Sequence, residues 1–362
     1  MTTSILKKNM TLMKPSWKVL FAVGIAVSIK PLVTTLIWLK QAPADDYIGN
    51  IPLLSTEQLV HHVKGKDALI VGGTRGVGMG TALALYRAGA HVTIVGRSEH
   101  SGAKAIATIQ QLSSSTSTPG SINFLQGDIG TICKAMKLIE QLSASSTSYD
   151  FAVVSAATFP DWTKPLQNVD GLDKSFAIAV MGRFLVYRNA HRFMNKHARI
   201  INVLASGEKL PVELFDKEIA SGERNVTGLL EAMMTFAVGN EIMMDGLYTY
   251  DNHYASKGYF TMVSTHPGLL QTDLHRGQGL LFDMLETAMT TIAGTTEEDV
   301  GVLQSSILVS KKVHLNELSF VDSFGYGRVH DVKMTDMIEE NSSWLWEMLT
   351  KLEKSSSQCL AL

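Results

Sequence analysis

Along most of the chain, short apolar runs alternate with stretches whose apolar residues recur every three or four positions. ALIVG (Ala68–Gly72) suits a strand buried on both faces. After GGTRGVG, the segment MGTALALYRAGA has helical spacing and stops at Gly89, and HVTIVGR follows as a second strand. Strand, glycine turn, helix, strand is the order of a Rossmann-type, doubly wound α/β domain with a parallel sheet. Further on, VTGLLEAMMTFAVGNEIMMDGL reads as a long helix with one apolar side, and TTEEDVGVLQSSILVS as a helix with a capping pattern. SFVDSFGYGRV suggests a short strand and turn. NSSWLWEMLTKLEK is amphipathic and suits packing on the domain, a partner or a membrane surface.

The N-terminal region has a different texture. Lysines precede Val19 without any acidic residue, and the first acid is Asp45. Val19 to Leu39 is mostly apolar and just long enough to span a bilayer as a helix. Lys30-Pro31 interrupts it, and a central lysine costs roughly 2.5–3.5 kcal/mol for insertion. A tilted anchor and a hairpin within one leaflet both fit, with a buried helix of the main domain as the alternative. The lysines would hold the N-terminus in the cytosol, although Lys30 and Lys40 blur the orientation. The division expected is 1–44 for the basic and hydrophobic anchor, 45–64 for a linker and lead-in, 65–330 for the nucleotide-binding domain, and 331–362 for a C-terminal helix and tail.

Composition narrows the function classes. An apolar share of 45% and a charged share of 18% suit a globular protein, and a net charge of −2 gives no reason to expect nucleic acid as a partner. The two cysteines, Cys133 and Cys359, cannot make a disulfide framework, and no Cys/His cluster has the spacing of a metal site. Arg183, Arg188, Arg192 and Lys196 read as a solvated helix face. N-glycosylation sequons begin at Asn9, Asn225 and Asn341, and the terminal CLAL fits a short prenylation pattern without a basic cluster before it.

The glycines of the first turn have separate jobs. Gly72 permits the tight turn off the strand, Gly76 lets the backbone approach a pyrophosphate, and Gly78 lets the helix pack closely on the sheet. Thr74, Arg75 and Val77 fill the turn between them, and the helix start offers N–H groups to phosphate. The spacing Gly72-x-x-x-Gly76-x-Gly78 resembles that of the short-chain dehydrogenase/reductase family, with Val71 where the family has threonine. The resemblance covers most of 65–325. It implies that Asp128, with Ile129 beside it in LQGDIG, meets the adenine. It puts Ser155 and Ala156 at the end of the fourth strand FAVVSAAT, in place of the family's NNAG. It puts Pro267 and Gly268 after the sixth strand YFTMVSTHPG, and Thr272 on the nicotinamide carboxamide. Gly96-Arg97-Ser98 ends the second strand without an acid for the ribose. Two guanidinium groups, Arg75 and Arg97, therefore point to NADP rather than NAD.

The family's catalytic residues are another matter. Its asparagine, serine, tyrosine and lysine positions fall here on Ala179, Ala205, Val226 and Leu230. Ser206 stands one residue beyond the serine position. YASK holds Tyr254 and Lys257 one residue closer than the family's motif, at the far end of the long helix rather than its beginning. These three are the candidates for a replaced proton route, and YASK reads as a decoy. The resemblance implies an NADP(H)-dependent oxidoreductase. With the anchor, its substrate would be a lipophilic alcohol or ketone and its location a membrane such as that of the endoplasmic reticulum, on either face. A cofactor-binding sensor or scaffold without catalysis is the alternative. The family often builds dimers through the long helix, so a homodimer is open.

Overall fold

In the computed structural model the chain divides into two units, Met1–Ala44 and Asp45–Leu362. The structure describes residues 49–204, 210–254, 259–268, 295–313, 318–323, 325–356 and 359. The expected anchor, Ser206, Lys257, Thr272 and the segment 269–294 lie outside these residues. Among the described residues no helix is long and apolar enough to cross a membrane.

An eight-stranded sheet forms the centre, in the order β3-β2-β1-β4-β5-β6-β7-β8. Its strands are β1 (Asp67–Val71), β2 (His91–Gly96), β3 (Ser121–Gln126), β4 (Tyr149–Val154), β5 (Met194–Val203), β6 (Phe260–Thr265), β7 (Ser319–Val321) and β8 (Gly327–Arg328). All neighbours pair in parallel except β7 with β8. The order reverses between β1 and β4, and in doubly wound sheets ligands bind at the carboxyl ends of the strands at such a switch point.

The period-2 geometry of a strand explains the continuous apolar run of β1. Leu69 and Val71 enter one core, and Ala68 and Ile70 the other. The second core is closed by α1 (Thr56–Val63), α2 (Gly76–Arg87), α3 (Glu99–Leu112) and α8 (Glu297–Val309). The first is closed by α4 (Ile132–Ala144), α5 (174–188), α7 (Leu229–Tyr250) and α9 (Val332–Ser355). The short α6 (Lys217–Ser221) precedes α7. α2 and α8 cross with backbones touching. A Cβ on Gly80 would lie 1.7 Å from Glu297 O, so only glycine fits.

α5 is α-helical at Lys174–Phe176 and Arg183–Arg188 but π-helical at Ala177–Gly182. Insertions of this kind are rare and often mark functional sites. Asn240 of α7 donates to Ala179 O at 2.7 Å within it. The basic residues of this helix do not form a solvated face. Arg183 is fully buried, and Arg188 stacks at 5.0 Å on Trp346 and pairs with Asp251 and Glu353.

The amphipathic C-terminal segment packs on the domain itself. α9 lies along α7, with Trp346 edge-on to Phe184 at 5.5 Å and Ser342 donating to Asp245 at 3.0 Å. It therefore covers part of the helix through which self-association is open. The two cysteines, though too few for a framework, do pair. Cys133 and Cys359 form a disulfide across 226 residues, tying the tail to the first turn of α4.

Candidate active site

Gly72 leaves β1 with φ +94, a conformation that favours glycine. A Cβ there would lie 2.5 Å from Ala156 N, and one on Gly78 would lie 2.3 Å from Gly72 O. The turn is thus held against the end of β4 at a separation no side chain allows. α2 then begins at Gly76 with Arg75 as an N-cap that makes no side-chain bond. Gly76 N donates to Glu297 Oε1 at 2.6 Å. The N–H groups of Val77 and Gly78 find no backbone acceptor among the described residues. These are the donors that an anion meets at a helix start.

A cleft of ≈ 160 Å³ opens over this turn. Of the residues expected to hold a cofactor, Gly72, Thr74, Arg75, Gly76, Val77, Arg97, Asp128, Ile129, Ser155 and Ala156 line it together. Gly78 lies beneath the turn. Ser98 instead caps α3, accepting from Ser101 N at 3.3 Å. Pro267 and Gly268 follow β6 but do not line this cleft, and Gly268 N donates to His266 Nδ1 at 3.2 Å. Arg75 and Arg97 are exposed, and neither guanidinium has a hydrogen-bond or ion-pair partner among the described residues. Asp128 is engaged on both oxygens, by Gly130 N at 2.9 Å and Lys134 Nζ at 3.0 Å. Sequence reasoning missed Ile178, which reaches the cleft from the π-helical segment. It also missed Lys134 and Lys137, which line an adjoining cavity with Arg97 and Asp128. The spacing of Lys134 from Asp128, six residues and across a helix cap, gave no periodic signal. These features fit a dinucleotide: close backbone approach, N–H groups at a helix start without a backbone acceptor among the described residues, and exposed guanidinium groups lining the cleft.

Among the described residues, the positions expected from the family to carry catalysis hold no acid–base group. Ala179 and Val226 are buried, and Leu230 is exposed on the first turn of α7. None of the three can move a proton. Tyr254 is fully buried, packed at 5.4 Å from Phe260, and its hydroxyl donates to Tyr187 O at 2.7 Å. Burial, with Asp251 nearby, pushes its phenol well above the ordinary tyrosine range. As a candidate acid or base it is thus overturned: its proton is held by a backbone carbonyl inside the core, and it does not line the cleft. Among the described residues no cluster of three or more His, Cys, Asp and Glu could hold a metal.

Beneath the end of β4 lies a polar network. Arg183 Nη1 donates to Asn202 Oδ1 at 2.5 Å, and Arg183 Nη2 to Ala156 O at 3.0 Å. Tyr187 OH donates to the same Asn202 oxygen at 2.9 Å. Asn202 Nδ2 donates to Asn240 Oδ1 and Ser264 Oγ, each at 2.8 Å.

Comparison with known proteins agrees with this architecture. The model of the family described as short chain dehydrogenase matches residues 66–216. The short-chain dehydrogenase/reductase prx1 of Penicillium roqueforti is 23% identical over 243 residues, 66% of this chain and 67% of its own. The short-chain dehydrogenase/reductase GME11373 of Pestalotiopsis microspora is 26% identical over 190 residues, 48% of this chain and 69% of its own. Among solved structures, an uncharacterized protein from Mycobacterium paratuberculosis superposes with a TM-score of 0.56 at 16% identity, covering 82% of this chain and 97% of that one. A dehydrogenase/reductase from Sinorhizobium meliloti does so with 0.53 at 18%, covering 74% and 97%.

Proposed function

Because the chain belongs to the short-chain dehydrogenase/reductase family of NAD(P)-dependent oxidoreductases, we propose that it transfers hydride between NADP(H) and a lipophilic alcohol or ketone at a membrane. The observation that carries this reading is the cleft over the glycine turn, with its unpartnered N–H groups and two exposed, unpaired guanidinium groups. An arginine fork matches a 2′-phosphate in shape and charge. The cofactor, when bound, supplies the hydride. Gly72 and Gly78 allow the close approach, Val77 and Gly78 N–H groups meet the diphosphate, and Ile129 and Ile178 give apolar walls. Proton delivery falls to Ser206 or to water, since Tyr254 is committed elsewhere.

The apolar run Val19–Leu39 supports the membrane part, because lipophilic substrates partition where it would hold the domain. The disulfide favours an oxidising compartment. A lysine-rich N-terminus kept in the cytosol would place a domain that follows one span in the lumen of the endoplasmic reticulum. The test of the cofactor reading is titration with NADPH and NADH. NADPH should bind at least tenfold tighter, and substituting Arg75 and Arg97 together with alanine should erase the difference. Equal affinities in the unmodified protein would contradict it.

One observation favours a second reading, a cofactor-binding sensor or scaffold: Ala179, Val226 and Leu230 carry no acid–base group. Under that reading, Gly76→Trp abolishes binding of a protein partner, and no substrate takes hydride from bound cofactor.

A further inference from the structure

Arg183 is completely buried, yet among the described residues no carboxylate pairs with it. Its neighbours are neutral dipoles: Asn202 Oδ1, Ala156 O and Tyr187, while Nε has no acceptor. Burial works against its proton, but a guanidinium remains charged in a protein. An isolated buried charge is strongly unfavourable unless something compensates it. The network around it is complete in the other direction, running through Asn202 to Asn240 and Ser264 and ending on Ala179 O. Among the described residues no negative charge enters that chain. Ala156, whose carbonyl Arg183 holds, lines the cofactor cleft together with Gly72 and Ala157. The cation thus lies one peptide group away from the inner end of the cleft, and four residues along α5 from Ala179.

We propose that Arg183 is a specificity-determining residue that makes the site favour reduced over oxidised nicotinamide cofactor. This rests on the cofactor reading above. The oxidised ring carries a positive charge and the reduced ring is neutral, so an uncompensated cation nearby disfavours only the oxidised form. Over about a nanometre at an effective dielectric near 20, one unit charge gives a bias on the order of tenfold. The chain is then poised as a reductase: it takes up reduced cofactor, and after hydride leaves for a carbonyl carbon the oxidised ring is expelled.

Calorimetric titration of the full-length protein with NADPH and with NADP+ reads this without any substrate. The unmodified protein and Arg183→Lys should bind NADPH about tenfold tighter. Asn202→Asp puts a carboxylate beside the guanidinium and should bring the ratio close to one by tightening NADP+. Arg183→Met should do the same if it folds. Equal affinities in the unmodified protein, or an unchanged ratio in folded Asn202→Asp, would overturn the inference while leaving the cofactor reading intact. Binding of neither form would overturn both.

Discussion

Replacing Tyr254 with phenylalanine separates the two meanings of YASK. The ring keeps its packing, 5.4 Å from Phe260 and 5.9 Å from Tyr248, so no cavity forms. What is lost is one buried hydrogen bond, from the hydroxyl to Tyr187 O at 2.7 Å. A bond of this kind contributes about 1 kcal/mol net, and a poorly satisfied carbonyl left behind can raise the loss to about 2 kcal/mol. For a unit running from Asp45 to Leu362, the unfolding entropy of about 2.1 cal/mol/K per residue converts this to a drop of roughly 2–3 °C in melting temperature. NADPH binding and NADPH-dependent reduction should stay within twofold. Loss of a true general acid would instead lower turnover by about 10²–10⁴. Differential scanning fluorimetry and a steady-state rate on the same preparation decide the matter. An unchanged melting temperature with a hundredfold lower rate would refute the assignment of Tyr254 to the core.

Other predictions follow from the same geometry. Gly78→Val forces a Cβ onto Gly72 O, and should abolish NADPH binding measured by fluorescence titration, whereas Ser98→Ala should not. Reducing the Cys133–Cys359 bond, or Cys133→Ser, frees a loop of 226 residues in the unfolded chain; urea unfolding should show a loss of up to about 5 kcal/mol, and no loss would mean the bond does not form. Asn225 is exposed while Asn341 is buried and donates to Met337 O. Translation with microsomes should therefore attach a glycan that Asn225→Gln removes and Asn341→Gln does not, and an unglycosylated product would argue against a luminal domain. Burial raises the pKa of Tyr187, Tyr248 and Tyr254 above the ordinary value near 10. Because their folded values are raised, the stability they add is full below about pH 10 and is lost as pH rises beyond it. The urea midpoint should fall between pH 8 and pH 11, and a rise would contradict their burial.

Much of the fold was legible because its signals are local. ALIVG, the glycine turn and the helix after it announce themselves within a few residues, and the cleft over them gathers most of the residues those motifs name. The decoy could be recognised from position alone, since Tyr254 stands just before β6 and after the long helix. What could not be read depends on pairs far apart in sequence. Glu297 meets Gly76 N across 221 residues, and Cys133 meets Cys359 across 226. In the sequence Arg183 reads with Arg188 as part of a solvated face. Yet a five-residue spacing turns two side chains about 140° apart on an α-helix, whereas Tyr187, one turn from Arg183, shares its contact with Asn202. That spacing was the available hint. The partners themselves, Ala156 just beyond β4 and Asn202 on β5, come together only in the folded chain.

The most direct test is hydride transfer itself. The full-length protein in detergent, shown to bind NADPH, is incubated with cofactor deuterated at the transferable position and a membrane lipid extract, and products are examined by mass spectrometry. Deuterium on the carbinol carbon of a lipid-derived alcohol is the predicted result. Tight NADPH binding with no label in any product, across extracts and carbonyl panels, would contradict the oxidoreductase reading and leave the sensor.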